Sequence, residues 1–247
     1  MAHAIEIRNL FKRYSKTEAL KGISLTVPSG AFFGFLGPNG AGKTTTIHIL
    51  TGLCNRTSGE VLVFGKDVTD NYLECRRRIG LVPQEFNFDS FFSIEKILEF
   101  QGGYFGLSPK QAKKKVEFLL KRFGLWDKRD EKAIKLSGGL KRRLLLLKAL
   151  VHDPDILILD EPTAGIDVEL RLEVWEFLKE LNQKGKTVLL TTHYLEEAEK
   201  LCQEIAIIHQ GTIVQKGTTQ ELIGNGRKKL EEVFLTSIQA QRESHVG

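Results

Sequence analysis

The stretch Ala31-Phe32-Phe33-Gly34-Phe35-Leu36, followed by Gly37-Pro38-Asn39-Gly40-Ala41-Gly42-Lys43-Thr44-Thr45, decides how this chain is read. An unbroken apolar run of strand length is the pattern of a strand buried on both faces, as in a parallel sheet. Residues 44–53 then carry a helical pattern. Between strand and helix stands glycine, four residues, then Gly-Lys-Thr, the phosphate-binding loop pattern in the setting that it requires. The glycines let backbone N–H groups wrap a phosphate, and the helix N-terminus adds the positive end of its dipole. Lys43 is placed to reach the β- and γ-phosphates of a nucleotide, and Thr44 offers a hydroxyl to Mg²⁺.

Upstream, apolar and polar residues alternate over residues 5–27 and end in Pro28-Ser29-Gly30, which predicts antiparallel strands closed by a turn. Downstream, from Ser90 to about Leu150, helical periodicity takes over. Ser108-Pro109 supplies an N-cap and a proline at the first helical position. Ala112, Val116, Leu119, Leu120 and Phe123 then share one face until Gly124. Strand signals return at residues 156–159 and 187–191 with a helical stretch, 168–182, between them, the alternation of a βαβ unit. Residues 204–216 read as a hairpin about Gln210-Gly211. In the polar tail from Arg227, Leu230, Val233, Phe234 and Ile238 have helical spacing, so the tail is either a last helix or a frayed end.

Composition bounds what this architecture can be. With 247 residues, 41% apolar and 27% charged, the chain has ordinary globular composition, which excludes disordered and fibrous classes. No apolar run approaches the roughly 20 residues that cross a bilayer. The opening Met1-Ala2-His3-Ala4-Ile5-Glu6 has neither the basic segment nor the apolar stretch of a secretory signal. Cys54, Cys75 and Cys202 are odd in number and widely spaced, and read as free thiols of a cytoplasmic protein. The net charge of +5 is too small an excess to argue for nucleic acid, and no nucleic-acid partner is expected. The densest basic clusters, residues 113–115 and 141–143, read as solvated helix faces, with membrane-side partners or acidic lipid heads as the alternative.

The second chemical signal is Ile156-Leu157-Ile158-Leu159-Asp160-Glu161, an apolar strand with two carboxylates at its carboxyl end, where ligands sit in open parallel sheets. Phosphoryl transfer to water needs positioning and charge neutralisation more than covalent chemistry, so Asp160 suits a metal and Glu161 suits activation of water. Taken alone, the pair also fits a solvated strand end.

Leu136-Ser137-Gly138-Gly139-Leu140 resembles the signature sequence of ABC ATPases and stands where that family has it, shortly before the Asp160-Glu161 strand. Roughly residues 4 to 225 share the resemblance. It implies an α/β, P-loop NTPase fold of the ABC ATPase type: one domain over residues 1–226, with an antiparallel β subdomain, a helical subdomain inserted at about 88–150, and a tail at 227–247. It also implies ATP and Mg²⁺ as ligands. The phosphate loop from Gly37 to Thr45 would bind ATP, with Thr44, Gln84 and Asp160 about the metal, and Glu161 and His193 catalytic. Tyr14 resembles the aromatic residue that stacks on adenine. Ser137, Gly138, Gly139 and Asp167 would reach ATP held by a second copy in a head-to-tail dimer. Each of these residues also has a plain reading: Tyr14 as a half-buried strand residue, Gln84 as a surface amide, His193 as a strand-end histidine.

The last signature position departs from the family, which usually has glutamine where this chain has Leu140. A hydrogen bond from that side chain to the nucleotide ribose is thereby lost, while Ser137 and Gly139 remain, so hydrolysis is expected to survive. Thr191-Thr192-His193-Tyr194-Leu195-Glu196-Glu197-Ala198-Glu199 and Leu230-Glu231-Glu232-Val233-Phe234 are similar to bacterial ABC-2-type exporters. That likeness implies an integral membrane permease as a separate partner and a peripheral location on the cytoplasmic face of the inner membrane. Residues 85–104, rich in phenylalanine, are the candidate docking groove, the alternative being that these aromatics form core. Two other classes are weighed. A DNA-repair or translation mechanoenzyme would carry coiled-coil insertions, tandem halves or zinc cysteines, and a nucleotide sensor without turnover would lack the carboxylate that Glu161 supplies.

Overall fold

The computed structural model describes residues 3–89, 91–224 and 226–244. Ser90, the expected opening of the helical region, lies outside them, as do Met1, Ala2, Asn225 and the last three residues of the tail. The chain divides into two compact units: residues up to Arg76 together with those from Leu178, and Arg77–Phe177.

The first unit opens with β1 (His3–Tyr14) and β2 (Thr17–Pro28), an antiparallel pair in which Ile5 faces Val27, Ile7 faces Leu25 and Leu10 faces Ile23. These apolar partners are buried and the residues between them point outward, the period-two pattern of a half-solvated sheet. The register shifts between Ile7 and Leu10, where Asn9 takes φ +45, a bulge that re-aims the strand. After β3 (Phe32–Leu36) and α1 (Lys43–Leu50), β4 (Ser58–Val63) returns antiparallel to β1, and β5 (Lys66–Asp67) completes a sheet of order β2-β1-β4-β5. A short helix, α2 (Tyr72–Arg77), follows. α1 is shorter than its sequence pattern: Thr51 caps it, Gly52 takes φ +69, and Leu53 is exposed.

The second unit holds β6 (Ile79–Val82), the helices α3 (Ile94–Tyr104), α4 (Pro109–Arg122) and α5 (Gly138–Leu150), and β7 (Ile156–Asp160), which runs parallel to β6. α6 (Val168–Gln183) leads out of it. Each of α3, α4 and α5 starts on a serine, Ser93, Ser108 and Ser137, whose hydroxyl accepts a backbone N–H three residues on. At α4 the cap is reciprocal, because Gln111 accepts the N–H of Ser108 at 2.9 Å. Ala112, Val116, Leu119 and Leu120 are buried along α4, whereas Phe123 forms its half-buried C-cap. Leu144 to Leu147 of α5 are all buried, and because four consecutive helical positions point to every side, this turn of the helix is enclosed all round.

The chain then re-enters the first unit with β8 (Thr187–Thr191), α7 (Leu195–Leu201), β9 (Glu204–His209), β10 (Thr212–Thr218), α8 (Thr219–Leu222) and α9 (Leu230–Ser244). β3 lies between β8 and β9 and is parallel to both, pairing Phe33 with Leu189 on one side and Phe35 with Ala206 on the other. All five of its residues are buried. Its position explains the continuous apolar run, since neither face meets water. β9 and β10 form the hairpin about Gln210 (φ +46) and Gly211 (φ +81), the paired positive φ values of a tight hairpin turn. In α9, Leu230 and Ile238 are buried. Among the described residues no helix is long and apolar enough to cross a membrane.

Candidate functional site

β3 ends at Leu36 and delivers the phosphate loop to the start of α1. A Cβ at Gly37 would drive into the carbonyl oxygen of Ile208 on β9, so only glycine lets the loop leave the sheet here. Gly42, with φ +113, is the N-cap of α1 and makes no side-chain capping bond. It stands tight against Leu20, whose Cδ2 would lie 2.7 Å from an added Cβ. Lys43 is 6% exposed, and its ammonium donates to the carbonyls of Gly37 at 2.6 Å and Pro38 at 3.1 Å. A buried cation is thus held by the loop's own oxygens, which solvate it in place of water. Thr44 is exposed, Thr45 half-buried, and Asn39 and Gly40 lie at the exposed tip, with Pro38 half-buried and Ala41 buried. Gly211 ties the loop to the hairpin by donating its N–H to Ala41 at 3.0 Å.

Tyr14, at the end of β1, is 44% exposed, and its phenol shares a hydrogen bond with the Cys54 thiol at 3.2 Å. That bond and burial raise the phenol above its ordinary range, while the Thr45 hydroxyl acts in the opposite sense. The ammonium of Lys12 lies 4.5 Å from the ring centroid, a cation–π contact, and is anchored on the carbonyl of Asn55 at 2.8 Å. An exposed aromatic is thereby tied, directly and through Lys12, to residues 54 and 55 in the loop that follows α1. Sequence reasoning found Tyr14 but not Lys12 or Cys54, which no motif marks.

In the second unit, β7 ends on Asp160 and Glu161 follows it, 5% and 6% exposed, which removes the reading of a solvated strand end. Glu161 has φ +51, a left-handed backbone that costs a glutamate about 1–2 kcal/mol. Gln84, exposed just beyond β6, donates from Nε2 to Glu161 Oε2 at 3.1 Å. It is thus a surface amide with a specific partner. The parallel pairing of β6 with β7, Val82 opposite Leu159, brings these two strand ends together.

The hydroxyl of Thr44, the amide oxygen of Gln84 and the carboxylate of Asp160 are all hard oxygen donors. Among the described residues no group of three or more His, Cys, Asp or Glu forms a metal cage. Hard oxygens are the donor type that suits Mg²⁺.

Ser137, Gly138 and Asp167 are exposed. Ser137 Oγ accepts the N–H of Leu140 at 3.4 Å, and Asp167 accepts that of Leu170 at 2.8 Å at the start of α6. A Cβ at Gly139 would stand 2.8 Å from Leu170 Cδ2, so the signature turn packs on the helix that Asp167 opens. His193 is exposed after β8, its ring 4.2 Å from that of Tyr194.

One expectation is corrected. Arg142, in a basic cluster read as a solvated face, is 4% exposed and donates to the carbonyls of Pro83 at 3.1 Å and Gln84 at 3.2 Å. The run of four leucines that follows at residues 144–147 is the available signal. The aromatics of residues 85–104 do not form core: Phe86, Phe91, Phe92, Phe100 and Tyr104 are all exposed. A groove of about 290 Å³ opens among Phe88, Phe92, Phe100, Tyr104, Asn87 and Lys148. All three cysteines are free, with Cys75 and Cys202 buried.

The ABC transporter family profile matches residues 20–164. The Nod factor export ATP-binding protein I of Burkholderia lata is 44% identical over 219 residues, 89% of this chain and 72% of that protein. The protein of the same name from Cupriavidus metallidurans is 43% identical over 223 residues, 90% of this chain and 74% of its own length. Among solved structures, an ATP-binding subunit of an ABC transporter superposes with a TM-score of 0.87 at 27% identity, covering 95% of this chain and 99% of that one. An ATP-binding cassette solved as a dimer in a post-hydrolysis state with ADP and Pi superposes at 0.81 and 28% identity, covering 87% and 98%.

Proposed function

The chain belongs to the ABC transporter family of ATP-binding subunits and is an ATPase, and on that premise we propose that it powers export of a substrate through a separate integral membrane permease. The observation that carries this reading is the 44% identity, across 89% of the chain, to a protein named for export. The chain docks peripherally on the cytoplasmic face of the inner membrane. The exposed aromatics and groove at Phe88, Phe92, Phe100 and Tyr104 receive the permease's cytoplasmic helices.

The residues divide the work in this reading. Tyr14 stacks on adenine, and the N–H groups from Gly37 to Thr45 cradle the phosphates. Lys43 exchanges the loop carbonyls for the β- and γ-phosphates, a swap that keeps its buried charge solvated. Thr44, Gln84 and Asp160 hold Mg²⁺, which when bound neutralises developing charge on the phosphates. Glu161 takes the proton of the attacking water, and His193 steadies the γ-phosphate. Two copies close head to tail, so that Ser137, Gly138, Gly139 and Asp167 of one meet the nucleotide of the other. The exposure of Ser137, Gly138 and Asp167 supports this arrangement, as does the dimeric state of one similar structure.

The test is affinity purification of the tagged chain from detergent-solubilised membranes, with mass spectrometry of whatever is retained in stoichiometric amount. A polytopic membrane protein is the expected result. Recovery of soluble proteins or nucleic acid alone would put a DNA-repair or translation mechanoenzyme first and leave the ATPase assignment standing.

A further inference from the structure

The helix that begins at the signature residues grips the segment that follows β6 at two points. Arg142, in the second turn of α5, donates one guanidinium nitrogen to the carbonyl of Pro83 at 3.1 Å and another to the carbonyl of Gln84 at 3.2 Å. Lys148, near the other end of α5, donates to the backbone carbonyl of Asn87 at 2.9 Å and to its side-chain oxygen at 3.2 Å. Both cations pay for their burial, which lowers the affinity of each for its proton, and at Arg142 the charge of Glu161 works the other way. A buried guanidinium spent on two consecutive backbone carbonyls fixes where those carbonyls stand, because its planar fork allows little rotation. Gln84 is thus held through its backbone by α5 while its side chain holds Glu161 at 3.1 Å.

We propose that Arg142 is a positioning residue of the ATPase reaction: it carries the placement of the signature helix, through the backbone of Gln84, to the carboxylate of Glu161. Lys148 lines the aromatic groove at the far end of the same loop, so it and Arg142 make α5 a bar with one end at the groove and the other at the catalytic carboxylate. The proposal rests on the reading of Glu161 as the group that activates water. A shift of α5 in this arrangement moves Pro83 and Gln84 with it, and the Gln84 amide either keeps or leaves Glu161. The guanidinium of Arg142 also lies 5.3 Å from the ring centroid of Phe86, a cation–π contact that adds a third hold on it.

The experiment is a double-mutant cycle on the full chain with Arg142→Met and Gln84→Ala, each assayed for kcat, for KM and for the stoichiometry of ATP bound. Arg142→Met is expected to lower kcat on the order of 10- to 100-fold, as misplacement of a catalytic group does, with KM and binding stoichiometry held within about twofold. In the Gln84→Ala background the same substitution should add less than about twofold, since its route to Glu161 is already cut. Hydrogen exchange over residues 83–87 should speed up in Arg142→Met and stay slow in Arg142→Lys, which keeps a cation on at least one carbonyl. Additive losses in the double variant would overturn the proposal, and so would unchanged exchange over 83–87. Where Arg142→Met does not fold, Arg142→Gln, which also removes the cation from the two carbonyls, enters the cycle in its place under the same criteria. Glu161→Gln separately decides the underlying reading: if it retained turnover, that reading would fail whatever the cycle showed.

Discussion

One hydrogen bond, from Gln84 Nε2 to Glu161 Oε2 at 3.1 Å, joins two residues that lie 77 positions apart in sequence. It exists because β6 and β7 pair in parallel and end side by side. The acceptor is buried and sits on a strained backbone at φ +51, a combination that concentrates at functional sites.

Glu161→Gln should therefore lower kcat by roughly 10²- to 10⁴-fold, the range for losing a general base. ATP affinity should stay close to that of the parent, because the phosphate loop is untouched. Steady-state hydrolysis beside equilibrium nucleotide binding measures both. Turnover within a few-fold of the parent would remove Glu161 from the catalytic role.

Cys54 is a native reporter of the base site, since its thiol bonds the phenol of Tyr14 and is only half-buried. Cys75 and Cys202 are buried, and burial pushes the Cys202 thiol well above its ordinary range, which leaves it protonated and slow to react. A thiol reagent should label Cys54 first in the native chain, and ATP should slow that labelling by covering Tyr14. Mass spectrometry of the labelled peptides reads the outcome. Labelling insensitive to ATP would mean that the base does not stack on Tyr14.

What the sequence made legible follows from how each element meets its surroundings. β3 could be read because both its faces are buried, and the hairpin of β9 and β10 because Gln210-Gly211 supplies the turn. β4 escaped notice: it opens with Ser58-Gly59, and Gly59 is there because a Cβ would strike the backbone of Asn9, a contact between distant segments that no local pattern records. The phosphate loop and the Asp160-Glu161 pair are local motifs and were readable. The grip of Arg142 on Pro83 and Gln84 was not, because a basic triplet on a helix has the same composition whether its middle member faces water or a carbonyl.

Stability at low pH should depend on Asp67. Burial works to raise its carboxyl, but the hydrogen bonds from Arg56 and from the backbone of Thr69 and Asp70 outweigh it and hold the carboxyl below its usual range. Arg56 meets both carboxylate oxygens, at 3.1 and 3.0 Å. A depressed folded-state value means that the stabilisation is fully present above the unfolded value of about 3.9 and is lost as pH falls through the folded one. Arg56→Met should lower Tm at pH 7, and the gap to the parent should narrow as pH drops below about 4. Thermal melts of the two chains in parallel check it. A gap that held constant down to acid pH would show that Arg56 acts by packing and not by its charge.

Leu140 tests how much of the signature turn resides in its backbone. The turn is capped by the N–H of Leu140, donated to Ser137 Oγ, so the side chain is not part of the cap. Leu140→Gln should then change folding stability by no more than about 0.5 kcal/mol, whereas Ser137→Ala should cost about 1 kcal/mol by uncapping α5. The new amide could bond the nucleotide ribose, worth about 1 kcal/mol, or roughly fivefold. If that bond forms equally in the bound and the transition state, KM falls roughly fivefold while kcat is unchanged. A rise in kcat instead would mean that the position acts only when the dimer is closed on the reacting nucleotide. An unchanged KM and kcat would remove the ribose contact from this position altogether, leaving the Ser137 hydroxyl and the N–H groups of Gly138 and Gly139 as the whole contribution of the turn.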